Sequence, residues 1–440
     1  MSAIAIGAWI FAGLMLLLVL RVHVGVGMFF AGACALIAMN GGNLQPFLYT
    51  LNNLIYARLS NYDLAVLPLF VLMGQFATHG GLSKTMFRFA RAAVGHWRGG
   101  LAMASVAACA AFGAICGSSL ATAATMGQVA LPELRARGYS GRLATGTLAA
   151  SGTLGILIPP SVPLVIYALL TQESIGKLFV AAVIPGLIAT AGYFLVIALY
   201  VRIDPTSGPA DVRLSFAERF RSLIEAGPII GVFLVVVVGI YGGWADPTEA
   251  ATIGAAATGL LAVRNGMRWQ GFKDSILGTA SSTAMIFLIL LGADLLNTGL
   301  ALTQMPVQLA IWVQNSELPP LLVLVTIIAV YVLLGCVMDS LAMILLTIPI
   351  FYPMIIGLDF YGMTAEAKSI WFGILALMVV EIGLVHPPLG INLFIIQRIA
   401  RDVPYLETAK GVIPFLLSDL VRIVLLVTFP SISLWLLHLN

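Results

Sequence analysis

Long apolar runs separated by short polar connections dominate this chain. A membrane-crossing helix needs roughly 20 apolar residues. Segments 4–20, 24–40, 64–78, 143–172, 178–200, 223–242, 249–263, 275–293, 369–397 and 411–437 fit that pattern, with 64–78 short and 249–263 marginal. Residues 4–20 run almost directly into the next apolar segment, so they read as a first membrane helix and not as a cleaved leader. Two further stretches, 99–133 and 318–357, are too long for one crossing and too short for two.

The polar connections fall into two classes. Arg21, the group Lys84, Arg88, Arg91 and Arg98, the group Arg135, Arg137 and Arg142, the loop 202–222, the cations of 264–273, and Arg398, Arg401 and Lys410 make one set of connections basic. Segments 41–57, 243–249 and 359–368 are nearly free of cations. Short basic connections face the cytoplasm, which places both termini outside. Stretch 99–133 then begins and ends on the cytoplasmic side, and 318–357 begins and ends on the outer side. Neither crosses, so each is expected to dip in and return. Each has a break near its middle, at Gly117-Ser118-Ser119 and at Asp339-Ser340. Non-helical backbone at membrane depth is tolerated only when buried in protein or facing water.

Two pairs of segments align. Gly113-Ala-Ile-Cys-Gly-Ser118 matches Gly335-Cys-Val-Met-Asp-Ser340, and Gly155-Ile-Leu-Ile-Pro-Pro160 matches Gly383-Leu-Val-His-Pro-Pro388. Each half reads as three helices, a hairpin, a helix broken at Pro-Pro, and a final helix. Five crossings per half is odd, so the second copy is inverted. The predicted fold is an all-α polytopic membrane protein of about ten transmembrane helices, with two re-entrant hairpins and broken helices in an inverted repeat. Residues 1–201 form the first repeat, 202–222 a cytoplasmic linker, and 223–440 the second repeat. Segment 82–98, with its cationic and apolar faces, suits a helix lying in the membrane interface; segment 298–316 is its counterpart.

Composition narrows the function. Of 440 residues, 60% are hydrophobic and 9% charged, against about 25% charged in a globular protein. Too few charges remain for a water-soluble surface, which excludes soluble enzymes, disordered regulators and nucleic-acid binders. Cys34, Cys109, Cys116 and Cys336 are scattered through apolar runs without metal or disulfide spacing.

The candidate chemistry lies at the breaks. A hairpin tip frees backbone carbonyls, amides and hydroxyls, and proline frees further carbonyls because it has no N–H. Such oxygens can hold a dehydrated sodium ion without a full negative charge. The first-half candidates are Cys116, Ser118, Gly155, Ile158 and Pro160; the second-half candidates are Gly335, Asp339, Ser340, Gly383, His386 and Pro388. Ser119, Ser161 and Asn392 are candidates for the substrate, with an interhelical hydrogen bond the alternative role for Asn392. Intramembrane acids are functional candidates by default. Asp339 is the strongest. Glu381 either holds the ion or braces the break. Asp294, near a predicted helix end, is expected to face water. Glu249, after Asp246-Pro247, suits a helix start.

Several motifs together resemble the DctM-like large membrane subunit of TRAP (tripartite ATP-independent periplasmic) transporters. They are Gly117-Ser-Ser-Leu-Ala-Thr-Ala-Ala-Thr-Met-Gly127, Gly152-Thr-Leu-Gly-Ile-Leu-Ile-Pro-Pro-Ser161, Ser174-Ile-Gly-Lys-Leu-Phe179, Pro247-Thr-Glu-Ala-Ala251, Asp339-Ser-Leu-Ala-Met-Ile-Leu345 and Gly383-Leu-Val-His-Pro-Pro-Leu-Gly390. The resemblance covers almost the whole chain. It implies sodium-driven uptake of small organic anions across the bacterial inner membrane by an elevator mechanism. It also implies a small four-helix membrane subunit and a soluble periplasmic binding protein as partners, beside the lipid bilayer. The two sodium sites would map onto the first-half and second-half candidates. Two positions depart from the family: Cys116 replaces the usual serine, and His386 replaces a frequent threonine and raises a proton contribution near neutral pH.

Rival readings differ in what they require. A primary pump needs a phosphate-binding loop, and Gly176-Lys177 lacks the rest of that pattern. An intramembrane protease would pair Ser118 with His386, which the repeat places at different breaks. A channel needs a continuous polar pore. The nearest alternative is a stand-alone ion-coupled anion carrier that needs no binding protein.

Overall fold

The structure, a computed structural model, describes residues 3–20, 22–336 and 338–439. Arg21 and Val337, used above for orientation and motif matching, lie outside the described residues. The described chain is helical throughout, with no strand. Six helices are long and apolar enough to cross a bilayer: Ile175–Ile203, Phe216–Tyr241, Trp269–Thr303, Ser340–Gly357, Ala365–Val385 and Tyr405–Thr428. Two bent pairs, Gln45–Leu59 with Tyr62–His79 and Gly141–Leu157 with Val162–Thr171, raise the number to eight. Ala3–Val19 and Val24–Met39, with 17 and 16 residues, are shorter apolar helices. The chain is a multi-pass membrane protein.

Several boundaries differ from the sequence expectation, each for a local reason. The predicted span 275–293 is the middle of the 35-residue helix Trp269–Thr303, which runs on through polar residues at both ends. The predicted 223–242 begins at Phe216, where Ser215 and Glu218 form a reciprocal capping box. Segment 41–57, expected as a plain connection, is largely taken up by the helix Gln45–Leu59, which runs two residues beyond it and is started by Pro46 in its first turn. Asp246 and Glu249 form a second capping box at Pro247–Arg264, as the helix-start reading of Glu249 expected. Leu82–Val94 buries Leu82, Met86, Phe87 and Ala90 along one face.

The elements of each hairpin pack on one another across a short break: Gly100–Cys116 with Ser119–Ala136, and Pro320–Gly335 with Ser340–Gly357. Contacts across the molecule come in matched pairs. Ser119–Ala136 packs on Ile391–Ile399, beyond the second Pro-Pro break, and Ser340–Gly357 packs on Val162–Thr171, beyond the first. Val24–Met39 packs on Trp269–Thr303, and Val66–His79 on Pro247–Arg264. The first arm of each hairpin meets the broken helix of its own half at a pair of glycines. A Cβ added to Gly113 would lie 2.4 Å from Gly155 Cα, and one added to Gly335 would lie 2.6 Å from Gly383 Cα.

Those contacts leave no space for a side chain, and backbone lies on the far side. Gly113→Val and Gly335→Val should therefore each lower the melting temperature of the purified protein, by an overpacking cost of about 1–3 kcal/mol. Gly13→Ala and Gly227→Ala, where an added Cβ meets nothing within 4 Å, should leave it unchanged.

Candidate functional site

The first hairpin turns at Gly117, whose φ of 63° is the left-handed conformation that glycine adopts freely. Ser118 is extended and caps the second arm, accepting from Ala121 N at 3.4 Å. The first broken helix ends after Leu154–Leu157 and resumes at Val162, with Ile158 extended at the exit and a 41° bend across the break. These pieces converge. A Cβ on Gly155 would lie 2.4 Å from Thr122 Oγ1 and 2.9 Å from Ser118 O, and one on Gly117 would lie 3.1 Å from Pro160 O. Cys116 packs its backbone against Gly74 of Val66–His79. The buried hydroxyl of Ser161 has no hydrogen-bond partner among the described residues, and that of Thr122 is met only by the weakly bonding Cys116 thiol. Such poorly satisfied oxygens are rare in a protein interior. Here they stand among the first-half candidates Ser118, Gly155 and Pro160, and the donor set, all neutral oxygen, suits a hard monovalent cation.

The second half repeats the geometry with its oxygens more fully engaged. Asp339 caps Ser340–Gly357, accepting from Leu341 N at 3.3 Å. The broken helix Ala365–Val385 ends at His386, and the chain becomes helical again at Ile391. Gly383 O accepts from His386 N at 3.3 Å, His386 O from Gly390 N at 3.0 Å, and Pro388 O from the Tyr405 hydroxyl at 2.5 Å. Each of these carbonyls keeps a second lone pair. The His386 ring places Nδ1 3.9 Å from Cys336 Sγ.

A cavity of about 220 Å³ joins the two tips. Cys116, Ser118, Ser119, Asp339 and Ser340 line it from the hairpins; Gln75, Thr78 and Ser282 line it from Val66–His79 and Trp269–Thr303. Its volume lies below the 300–1,000 Å³ typical of drug-sized ligands, so it suits a molecule of few heavy atoms. Asp339 is its only charged lining residue, and no lysine or arginine lines it, among the described residues. The first turns of Ser119–Ala136, Val162–Thr171 and Ser340–Gly357 all border it.

Of the three substrate candidates, only Ser119 borders this cavity. Ser161 is buried behind it. Asn392 lies elsewhere, with its amide donating to Ala149 O at 3.4 Å between Ile391–Ile399 and Gly141–Gly152. Asp294 corrects the sequence expectation. It is buried within Trp269–Thr303 and takes two bonds from the Arg58 guanidinium, one of them at 2.6 Å to Oδ1. The helix extends well past the predicted end, so Asp294 lies inside it and meets a partner 236 positions away.

Sequence reasoning missed Thr122, Gln75, Thr78 and Ser282. Their signal is a small polar side chain in an apolar helix, which alone does not distinguish a cavity wall from an ordinary helix contact. It also missed most of a buried ionic cluster. Arg422 Nη2 lies 3.2 Å from Glu381 Oε2 and 2.9 Å from Asp419 Oδ1, and the Tyr193 hydroxyl donates to Asp419 Oδ2 at 2.9 Å. Glu381, Asp419 and Arg422 are 0%, 1% and 3% exposed.

A family model described as "Tripartite ATP-independent periplasmic transporter, DctM component" matches residues 11–432. The chain is 35% identical over 380 residues to a C4-dicarboxylate TRAP transporter large permease protein of Pseudomonas aeruginosa, covering 85% of this chain and 86% of that one. It is 31% identical to the sialic acid TRAP transporter large permease protein of Vibrio cholerae, covering 86% of each. It is 30% identical to an ectoine/5-hydroxyectoine TRAP transporter large permease protein of Ruegeria pomeroyi, covering 85% and 86%. Among solved structures, the YdaH transporter of Alcanivorax borkumensis, described as having an unusual topology, aligns with a TM-score of 0.66 at 14% identity, over 94% of this chain and 100% of that chain. That last likeness concerns the fold alone.

Proposed function

This chain belongs to the DctM component family of tripartite ATP-independent periplasmic transporters, and from that premise we propose that it carries a small organic anion into the bacterial cytoplasm together with sodium. It is a large permease subunit and not an enzyme. The observation that carries the anion reading is the cavity between the hairpin tips. Three helix N-termini border it, two of them capped by Ser118 and Asp339, and Asp339 is the only charged lining residue among the described ones, so an anion there needs a bound cation to offset that carboxylate. Helix N-termini offer free N–H groups and a partial positive charge, which favour an anion. Two of the relatives are named for acids, C4-dicarboxylates and sialic acid. Together these favour a carboxylate-bearing substrate in this cavity.

Sodium is a co-substrate in this reading. The first-half oxygens of Ser118, Thr122, Gly155 and Pro160 supply one site, with Cys116 and Ile158 contributing main-chain oxygen. The second-half group of Gly335, Asp339, Ser340, Gly383, His386 and Pro388 supplies the other. Helices Ala3–Val19, Val24–Met39, Val66–His79, Phe216–Tyr241, Pro247–Arg264 and Trp269–Thr303 form a frame, and the hairpins and broken helices slide against it as an elevator. The cavity straddles that boundary, with Gln75 and Ser282 on the frame and Ser119 and Ser340 on the hairpins. The matched contacts of the two halves support an inverted repeat. The small membrane subunit and the binding protein complete the transporter in the inner membrane.

The test is uptake into proteoliposomes holding the full transporter. Uptake should require sodium. Thr122→Val and Ser118→Ala should each raise the half-saturating sodium concentration by about tenfold, corresponding to one lost contact to a charged group at ~1.5 kcal/mol. Full uptake driven by a proton gradient in sodium-free buffer would sink the sodium reading.

A further inference from the structure

The buried ionic cluster is connected at both ends to the breaks. Glu381 sits on Ala365–Val385, two positions before Gly383, where the second hairpin touches the second broken helix. Arg422 and Asp419 come from Tyr405–Thr428, and Tyr193 from Ile175–Ile203. The Tyr193 hydroxyl also lies against the side chain of Thr153, two positions before Gly155; the Thr153 hydroxyl itself donates to Ala150 O at 2.7 Å, so this link is a packing contact, reinforced where Ile175–Ile203 packs on Leu154–Leu157. The chain Thr153, Tyr193, Asp419, Arg422, Glu381 thus runs through the protein interior from the first broken helix to the second.

This chain has room to rearrange. Arg422 uses one nitrogen, Nη2, for both carboxylates, at 3.2 Å and 2.9 Å. Its Nε and Nη1, and Glu381 Oε1, have no hydrogen-bond partner among the described residues although they are buried. A guanidinium carries five donors in a planar fork suited to bidentate pairing with one carboxylate. The shared nitrogen therefore represents one arrangement of at least two: split between the acids, or paired squarely with either. Coupling between distant sites requires such an element with discrete arrangements that both sites bias.

We propose that this buried chain couples the two breaks, so that a cation bound at Gly155 and Ser118 favours the arrangement that readies the break at Gly383 for the second. Thr153, Tyr193, Asp419, Arg422 and Glu381 are then positioning residues, not ligands. The inference rests on the sodium reading given above. An ion at the first break moves the short helix Leu154–Leu157 and Thr153 with it. Tyr193 transmits this shift to Asp419, and Arg422 redistributes between Asp419 and Glu381. Glu381 then tilts the last turn of Ala365–Val385, whose final carbonyls face the second break. Coupling of this kind is reciprocal.

The experiment is a sodium titration of uptake by the full transporter, with the melting temperature of each variant measured in parallel. Wild type should show a Hill coefficient above one. Tyr193→Phe removes the hydroxyl and keeps the ring, and should bring the coefficient close to one. Thr153→Ala, which removes the packing contact with Tyr193, should do the same, and the double variant should add nothing further, as expected for residues of one network. The triple variant Glu381→Leu, Asp419→Leu, Arg422→Met removes every charge of the cluster; it should transport without cooperativity. A merely structural role would lower the melting temperature and leave the coefficient alone. A folded Tyr193→Phe that keeps the wild-type coefficient overturns the inference, and if that variant does not fold, a cooperative triple variant overturns it instead. Wild-type uptake indifferent to sodium overturns the sodium reading and this inference together, whereas cooperative wild type with cooperative variants overturns this inference alone.

Discussion

Arg422→Ala should leave little folded protein in the membrane. The substitution strands Glu381 and Asp419, 0% and 1% exposed, with no cation beside them. Removing one partner of a buried ion pair costs roughly 3–5 kcal/mol, because the remaining charge is buried and uncompensated. That is a large part of the ~5–15 kcal/mol that holds a typical domain together. Removing all three charges with apolar side chains of similar volume should cost far less, since such replacements are often neutral or stabilising. Thermal melts of the detergent-purified proteins check both statements. An alanine variant that melts with wild type would mean that water reaches the cluster.

Asp419 and Arg422 also show where sequence reading loses sight of the molecule. They lie three positions apart in a helix of 24 residues whose average remains strongly apolar, so the run 411–437 reads as an uninterrupted span. Glu381 stands out because it precedes a recognisable Pro-Pro break, but its partner Arg422, 41 positions away, is not legible from the sequence. Asp294 was misjudged for a related reason. Its partner Arg58 lies in a segment whose polar residues suggested a connection, and the pairing brings together positions 236 apart. The breaks, by contrast, were legible. Gly117-Ser118, Asp339-Ser340 and the two Pro-Pro pairs interrupt helices through their own backbone chemistry, which requires no tertiary partner. The cavity wall was not. Gln75, Thr78 and Ser282 are single polar residues in apolar helices, and which face they turn to the hairpins is decided by packing across the whole chain.

The 440-residue chain reconstituted alone should take up no substrate above the background of empty liposomes, and adding the small membrane subunit with a binding protein should raise uptake by more than about tenfold, or ~1.4 kcal/mol in effective barrier. One reason lies in a helix that the charge pattern places on the outer side. Helix Gln45–Leu59 buries none of its residues, and Leu48, Tyr49, Tyr56 and Leu59 stand exposed along it. One side of the helix packs on Val24–Met39 and Trp269–Thr303 through Phe47 and Leu54; the tyrosines and leucines on its other side suit a protein contact better than water. Arg58, the helix's one charged side chain, is tied to Asp294, so the helix presents an apolar and hydroxyl-bearing face on which the proposed binding protein is expected to dock. A second reason lies in the frame. Ala3–Val19 and Phe216–Tyr241 expose Trp9, Leu16, Leu234 and Val235, an apolar surface on which the proposed small subunit is expected to pack, widening the proposed static frame. Tyr49→Asp with Tyr56→Asp should abolish stimulation by the binding protein and leave the melting temperature unchanged. Robust sodium-driven uptake of free substrate by the chain alone would favour the stand-alone carrier, because a frame that needs no widening and a cavity that loads without delivery would make both partners dispensable.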